Sequence, residues 1–542
     1  MNTRPAFLSL LALILFLPGA GCRRSEPQAP SISPPLSAPS PETVLRVHWL
    51  GTSRLGIEAS AYYFMRLWNL PESAALQKQT LDKLCSAPWR ALYGEAQVTN
   101  VYRLLLRPLL DDIVRDESYF ELRRPTNRPE ELVFAVRFDE ARGGLWETNL
   151  ANVMNSLTGV WPVTSGRHGW TLQRAQQPNL IEMVRAGDWV VVGVAQDQNP
   201  LLRQIVERVQ RDPDPFGARA TTGPWLEADL DLGRVALVPA GAFIPSGNLP
   251  GISLTLTGDG GNVLTHAELN FPQPLPIDFE PWAIPTNRIR EPLVGLTAIR
   301  GVQPALASWK AWNDLQIGAP PNQLWFWAPD GIPQQIFLGV PLPNAGDRVR
   351  SLSETLVQRG NPWLSLHALG TFEGSPDSNG AIWLGLPLIS PFVRSVDEGR
   401  LVLGGLIPSV APGTNTPAAL YQRPSLAELL QDLSKGTNLV AYDWELTSPR
   451  IESCFYIGQA LRAAFRGSQL PVELAGMDWL NAIRYRLGNC RTTVTRTGPN
   501  QLTIERKSNI GLTGAELNLV ADWLESPQFP WGLYSSLTPQ PH

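Results

Sequence analysis

The feature that most restricts the fold of this chain is a series of strand-like and helix-like segments that occurs twice in the same order. Each series opens with an apolar strand and continues with an alternating strand, an amphipathic helix and further apolar strands. Each closes with two strands joined by a Gly-containing turn, GDGG in the first and GPNQ in the second. The matched segments are 44–60 with 292–308, 132–138 with 335–342, 145–157 with 345–356, 169–195 with 380–406, 228–232 with 442–446 and 252–269 with 492–505.

This repeated order predicts the fold class. The strands follow one another as hairpins rather than as single strands separated by helices, which favours antiparallel pairing over a doubly wound parallel sheet. A chain of 542 residues also exceeds one ordinary core. We therefore predict an α+β fold with two internally duplicated halves, at 44–285 and 286–542, each a largely antiparallel sheet with packed helices. Insertions between the landmarks are helical, including one at about 454–486.

The N-terminus has the pattern of an export signal. Residues 6–20 are almost wholly apolar and follow a single basic residue, a stretch that is too short for a typical membrane span. Small residues at 19–21 supply a cleavage site. We predict that residues 1–21 are a signal peptide.

The end of this segment, LPGAGCRR, resembles the lipobox of bacterial lipoprotein signals. Ala20 and Gly21 are the small residues expected before the modified cysteine, and Cys22 occupies its position. Gly19 departs from the usual leucine. The resemblance implies that Cys22 is acylated and that the membrane is a partner through this N-terminal lipid.

The residues after Cys22 extend the same resemblance. Arg23 stands where aspartate would imply retention at the inner membrane, so the similarity implies an outer-membrane lipoprotein that faces the periplasm or the cell surface. Residues 22–43 are rich in proline and serine, a composition typical of an extended spacer. We predict that they tether the body to the bilayer.

The body is similar to a family of uncharacterised extracytoplasmic proteins that are built from such repeats and occur in bacteria with complex envelopes. The similarity lies in the order of the landmarks and in WNLPESAAL and APWRALYG, at residues 68–76 and 87–94. It implies a place in the cell envelope and carries no known activity.

Two pairs of acidic residues occur at matched positions, Asp229 with Asp231 and Asp443 with Glu445. Residues at i and i+2 of a strand lie on the same face of a sheet, so each pair would be close together. Such a pair is a candidate acid and base, or a candidate site for a hard cation such as Ca²⁺. The interpretation we favour is a solvated strand face, with the acids paired to nearby arginines. Those arginines are Arg234 and Arg450.

The remaining cysteines and the histidines lack metal-site spacing. No CxxC or HExxH sequence occurs, and we predict no metal site. In an oxidising compartment Cys454 and Cys490 are a candidate disulfide pair, and Cys85 is expected to be buried as a small apolar residue.

Two further patterns predict burial and exposure. Trp325-Phe326-Trp327 places both tryptophans on one strand face, which favours burial between layers. The acidic run at 111–121 is typical of a solvated helix end.

Composition excludes several functions. Net charge is −4 without a strongly basic window, so we predict no nucleic-acid partner. No GxSxG, Walker A, GxGxxG or SxxK motif occurs, so we predict no catalytic residue and no cofactor. The leading hypothesis is a lipid-anchored envelope protein with a non-enzymatic binding or scaffolding role toward an envelope protein, glycan or lipid. The alternatives are a polysaccharide-acting hydrolase that uses the paired strand carboxylates, and a carrier of an apolar ligand.

Overall fold

The computed structural model describes most of the body of the protein. The described residues are 39–93, 100–166, 168–174, 177–217, 223–234, 248–315, 318–374, 380–408, 423–465, 475–526 and 529–530. The predicted signal peptide, Cys22 and most of the predicted tether lie outside them.

The fold is α+β with antiparallel strands, which confirms this part of the prediction. The two sheets expected for the two halves are instead one continuous sheet, because an edge strand of each series pairs with the other. The sheet contains 20 strands in the described part of the chain. They are β1 Thr43–Trp49, β2 Ser118–Arg123, β3 Glu131–Arg137, β4 Val163–Thr164, β5 Gly169–Arg174, β6 Gln177–Ala186, β7 Trp189–Ala195, β8 Leu226–Asp231, β9 Gly251–Gly258, β10 Val263–Asn270, β11 Leu293–Arg300, β12 Gln323–Pro329, β13 Phe337–Pro341, β14 Thr371–Gly374, β15 Gly380–Leu384, β16 Phe392–Val396, β17 Leu401–Gly405, β18 Leu439–Leu446, β19 Asn489–Gly498 and β20 Gln501–Ser508.

Helices connect many of these strands. They are α1 Thr52–Leu55, α2 Tyr62–Trp68, α3 Pro71–Tyr93, α4 Asn100–Arg115, α5 Glu140–Thr158, α6 Pro200–Arg211, α7 Gln303–Ser308, α8 Lys310–Leu315, α9 Ala345–Thr355, α10 Asn361–Leu366, α11 Leu426–Ser434, α12 Thr447–Phe465, α13 Ala475–Arg484 and α14 Gly514–Glu525. The predicted helical insertions are present as α2–α4 in the first part of the chain and as α12 and α13 in the second.

The strands pair in the same order in both parts of the chain. From one outer edge the order is β4-β5-β6-β7-β3-β2-β1-β8-β9-β10, and from the other edge it is β14-β15-β16-β17-β13-β12-β11-β18-β19-β20. The two series meet where β10 pairs with β20, from Val263 opposite Ser508 to Asn270 opposite Gln501. We call β1–β10 with their helices the first half and β11–β20 with theirs the second half.

Helices cover both faces of the sheet in the first half. Asn199 caps α6 by accepting a hydrogen bond from the Leu202 amide, and Pro200 occupies the first turn. The apolar side of α6, including Leu201 and Ile205, packs on β3 and β7. On the opposite face α5 packs Trp146 against β5, β6 and β7.

The second half has a helix directly before β18, as the first half has α6 directly before β8. A capping box formed by Ser425 and Glu428 begins α11, whose Leu429 and Leu433 pack against the sheet. Trp325 and Trp327 lie on this one face and are buried, as predicted. Cys85 is also buried, as predicted.

Helices of the two halves pack on each other. Leu67 of α2 and Leu76 of α3 share a core cluster with Ile451, Trp479 and Leu517, which lie on α12, α13 and α14. The halves are therefore joined by a helical core as well as by the β10–β20 pair.

The prediction of a solvated acidic segment at 111–121 is wrong. Asp112 is fully buried and accepts hydrogen bonds from Arg115, Arg142 and the Trp146 indole. The end of α4 packs on α5, and the Asp112 carboxylate links the two helices by accepting hydrogen bonds from side chains of both. Among the described residues, no helix combines the length and the hydropathy needed to cross a membrane.

Candidate functional site

Ionisable residues occupy the sheet face beneath α6. In the ladder, Arg46 lies between Asp229 and Glu121, and His48 lies between Glu227 and Tyr119. Residues directly opposite each other on paired strands share a face. We call this set the ionic face; its members are Arg46, His48, Tyr119, Glu121, Glu227 and Asp229.

Arg46 and Asp229 form the first ion pair of the ionic face. The Arg46 Nε and Nη2 atoms donate to Asp229 Oδ2 at 2.8 and 2.5 Å, and Ser253 Oγ donates to Oδ1 at 2.8 Å. Asp231, two residues along β8, is more exposed and pairs with Arg234 at 3.3 Å. The two acids of this predicted pair therefore differ in environment, and each is neutralised by an arginine.

His48 is the centre of the second group. Its Nε2 lies 3.1 Å from Glu117 Oε1 and its Nδ1 lies 3.7 Å from Glu227 Oε2. Burial lowers the pKa of His48, but the hydrogen bonds and the negative charge of the two glutamates together raise it by more than burial lowers it. The pKa of His48 therefore lies above its ordinary value. Phe216 closes this site by stacking on Tyr119, with ring centroids 4.1 Å apart.

The second predicted acid pair, Asp443 and Glu445, lies on β18 under different elements. Thr297 Oγ1 donates to Asp443 Oδ1 at 2.5 Å. Glu445 is buried and its Oε1 accepts a hydrogen bond of 2.6 Å from the Gly514 amide, at the start of α14. Arg450 Nε lies 3.7 Å from Glu445 Oε2.

This environment shifts the titration of both acids. Burial raises the pKa of Asp443, and burial together with the charge of Asp443 raises the pKa of Glu445 to about 7. A carboxyl group that titrates near neutrality is able to exchange a proton at physiological pH. Beside the pair, Arg506 donates to both oxygens of Glu516, at 2.6 and 3.0 Å, and to Thr492.

The structure corrects the expected environment of the second acid pair. The sequence predicts a solvated strand face, but both faces of β18 are covered, with Trp444 beneath α11 and Glu445 beneath α14. The expected pairing of acids with the nearby arginines is present for one acid of each pair, Asp231 with Arg234 and Glu445 with Arg450.

The two acid pairs also lie on opposite faces of their ladders. Where Arg46 stands between Asp229 and Glu121 in the first half, Leu296 stands between Trp444 and Trp327 in the second. By position in the ladders, Asp229 corresponds to Trp444, whereas the sequence match of 228–232 with 442–446 aligns it with Asp443. The sequence match is therefore one residue out of register. Because successive residues of a strand point to opposite faces, this shift placed the two acid pairs on the same face when they lie on opposite ones.

The residue of the second half that corresponds to His48 is also apolar. It is Ala298, which lies between Tyr442 and Trp325 on the face that α11 covers. We call this second set the aromatic face; its members are Leu296, Ala298, Trp325, Trp327, Tyr442 and Trp444.

Cys454 and Cys490, the candidate disulfide pair, are free thiols in the structure. Burial raises the pKa of both thiols, so both are protonated at neutral pH and poorly nucleophilic. They lie on α12 and β19 respectively.

Sequence reasoning missed Arg46, His48, Glu117 and Arg506, which organise these sites. A signal for the first two is present: in TVLRVHW the polar residues Arg46 and His48 alternate with apolar ones, which places both on one face. Nothing local identifies Arg506 as the partner of Glu516, because the pair forms only after α14 docks on the sheet.

Two other features of the described residues bear on function. A surface groove of about 500 Å³ is lined by residues of α1, α2 and the segment between them, including Leu55, Ile57, Tyr62 and Arg66. In the described ranges, no group of three or more His, Cys, Asp or Glu side chains is arranged to hold a metal ion.

Comparisons with protein-family models, curated proteins and solved structures give no match for this chain. The similarities to a lipoprotein signal and to uncharacterised extracytoplasmic proteins therefore remain predictions from the sequence.

Proposed function

We propose that the protein is a bacterial lipoprotein of the cell envelope, held by an acyl anchor on Cys22, whose body has a non-enzymatic binding or scaffolding role. The observation that carries the proposal is LPGAGCRR, a cysteine that follows small residues at the end of a short apolar segment and precedes a proline-rich spacer. By the residue after the cysteine, we assign it to the outer membrane.

We also propose that the body arose by duplication. The support is the common pairing order of the two halves, in which each strand from β1 to β10 takes the place held by β11 to β20. The segments matched in sequence fall on strands with the same place in the two orders: 132–138 covers β3 and 335–342 covers β13. The proposed domains are residues 44–285 and 286–542.

The carboxylates support a structural role rather than a catalytic one. Asp229 accepts from Arg46 and Ser253, Asp443 accepts from Thr297, and Glu445 accepts from the start of α14. Each is bound by donors of the chain itself, and the bonds connect separate strands and helices. Such bonds hold the body together.

The anchor is tested by acylation and fractionation. Cys22→Ser removes the thiol that the proposed lipid modifies, so the variant should lack the acyl mass and leave the membrane fraction. Gly19→Leu, which restores the usual lipobox residue, is the matched control and should be acylated at least as fully as wild type. An unmodified Cys22 in the wild-type protein, by mass spectrometry, would remove the proposal.

A second candidate function is hydrolysis of an envelope polysaccharide by Asp443 and Glu445. The raised pKa of Glu445, beside a second carboxylate, is the observation that favours it, because glycoside hydrolysis needs one protonated and one ionised carboxyl group. Release of sugars from envelope polysaccharide that is lost in Glu445→Gln and kept in Asp231→Asn would support it. Equal activity in all three proteins would exclude it.

A further inference from the structure

Both outer ends of the sheet display large apolar side chains to solvent. Near β4, Trp161 is 60% exposed and Val163 is also exposed; we call Val160, Trp161 and Val163 the first tip. Near β14, Trp363 is 51% exposed; we call Trp363, Leu366 and Leu388 the second tip. The same end of each half therefore carries an exposed tryptophan with aliphatic neighbours.

The segments that carry the tips contain no Asp, Glu, Lys or Arg. This holds for residues 156–166 in the first half and for 360–370 and 384–391 in the second. Charged residues make up 17% of the chain, and none of them lies in these three segments.

The backbone of the second tip is strained at two exposed positions. Leu388 has φ of 66° and Ala368 has φ of 54°, the left-handed region that non-glycine residues enter at a cost of about 1–2 kcal/mol. Leu388 is nevertheless 67% exposed, so packing within the chain does not offset this cost.

The two segments of the second tip lie against each other. A Cβ atom built on Gly370 would be 2.8 Å from the Gly385 Cα and 1.9 Å from the Leu384 carbonyl oxygen. The backbone at the end of the segment of Trp363 and Leu366 therefore contacts the backbone at the start of the segment of Leu388.

We propose that the tips insert into the interfacial region of the lipid bilayer to which the N-terminal anchor holds the protein. Tryptophan with aliphatic neighbours suits the boundary between headgroups and acyl chains. The lack of charge in these segments favours a neutral bilayer surface, because an anionic lipid surface would call for a cluster of Lys and Arg.

The length of chain before the body permits this contact. Residues 22–38 precede the first described residue and span at most about 55 Å when fully extended, at ~3.3 Å per residue. The inference rests on the proposed lipid anchor, which supplies the membrane at this short range.

Tryptophan quenching by brominated phosphatidylcholine tests the tips separately from the anchor. Residues 1–38 contain no tryptophan, so quenching reports on the body alone. The full-length acylated protein in brominated vesicles should lose on the order of a tenth of its fluorescence, because two of 19 tryptophans lie at the tips. The loss should be the same at low and high salt.

Variants identify the residues. Trp161→Phe with Trp363→Phe should abolish the quenching while leaving the protein on the vesicles, and Leu388→Asp should remove the contribution of the second tip. Trp312→Phe, in α8, is the control and should be quenched as wild type.

The outcomes separate the two proposals. An acylated, vesicle-bound protein without quenching would overturn the insertion of the tips and leave the anchor intact. Quenching that persists in the double Trp→Phe variant would also overturn it. Quenching of a protein that mass spectrometry shows to lack the acyl group would support the tips and remove the anchor, and no quenching of such a protein would overturn both.

Discussion

The ionic face of the first half and the aromatic face of the second occupy the same place in two ladders of the same pairing order. Each lies on the central strands, on the side of the sheet against which α6 packs in the first half and α11 in the second. On one face Arg46 sits between two acids, and on the other Leu296 sits between two tryptophans. The same strand arrangement is thus stabilised by ion pairs in the first half and by aromatic packing in the second.

The two faces are stabilised by different forces. An aromatic face is stabilised by buried area and close packing, so its weakness is loss of volume. An ionic face has desolvated charges that are stable only as complete sets, so its weakness is the loss of one partner. In the second half the buried charges are instead on the opposite face, beneath α14.

The largest loss of stability is expected when a large side chain is removed from the aromatic face. Trp325 is fully buried, so Trp325→Ala should lower the free energy of unfolding by about 4–5 kcal/mol through lost burial and the cavity that remains. Denaturant unfolding measures this value. The control Trp363→Ala, at an exposed site, should change stability by less than about 1 kcal/mol. A similar small loss in both variants would show that α11 does not pack as described.

A slightly smaller effect is expected from breaking the ionic face. Arg46→Leu leaves Asp229 desolvated without its cation and should cost about 3–4 kcal/mol in denaturant unfolding. The double variant Arg46→Leu with Asp229→Leu places apolar residues where the second half has Leu296 and Trp444, and should regain most of that loss. A double variant as unstable as the single one would show that the two faces are not interchangeable.

The acids on the opposite face of the second half should make stability depend on pH. The pKa of Glu445 rises from 4.5 to about 7 on folding, so the folded state binds the proton more tightly. The free energy of unfolding should therefore fall as pH rises from about 4.5 to 7, by up to about 3 kcal/mol. Unfolding across this range is compared in wild type and Glu445→Gln, in which glutamine imitates the protonated acid and should reduce the slope to the part due to Asp443 and other groups. An unchanged slope in Glu445→Gln would assign it to other groups.

The smallest effect is expected at His48. Its pKa is raised in the folded state, so its contribution to stability is complete below the ordinary value of 6.5 and is lost as pH rises through the raised value. His48→Gln should remove this loss without affecting the part due to Glu445. The aromatic face has Ala298 in that place. His266 also has a raised pKa and will still titrate in this variant, so it is an unchanged loss of stability in His48→Gln that would contradict the assignment.

The sequence predicts the order of elements in this fold better than it predicts their faces. Alternation and turn residues are local, and they identified the α+β class, the antiparallel hairpins and the helical insertions. Trp325 and Trp327 were placed correctly for the same reason, because residues at i and i+2 of a strand must share a face.

The environments of the acids could not be predicted because they depend on distant residues. Glu445 is buried by α14, which begins 69 residues later, and Arg46 meets Asp229 across 183 residues. The match of β8 with β18 was also one residue out of register, which assigns side chains to the wrong face of the sheet. The two strand sequences are too dissimilar to fix that register. The same limit applies to Asp112, which becomes buried only when α5 docks.

The pairing of β10 with β20 has a consequence for how the chain is made. Residue 263 meets residue 508, so the strand at the centre of the sheet finds its partner only when nearly the whole polypeptide has been synthesised. Until then β10 presents an open edge, the kind of surface through which nascent chains join one another. Contacts this far apart in sequence also form slowly. We therefore expect the open edge of β10 to need protection during synthesis, and we expect truncation before β20 to favour aggregation.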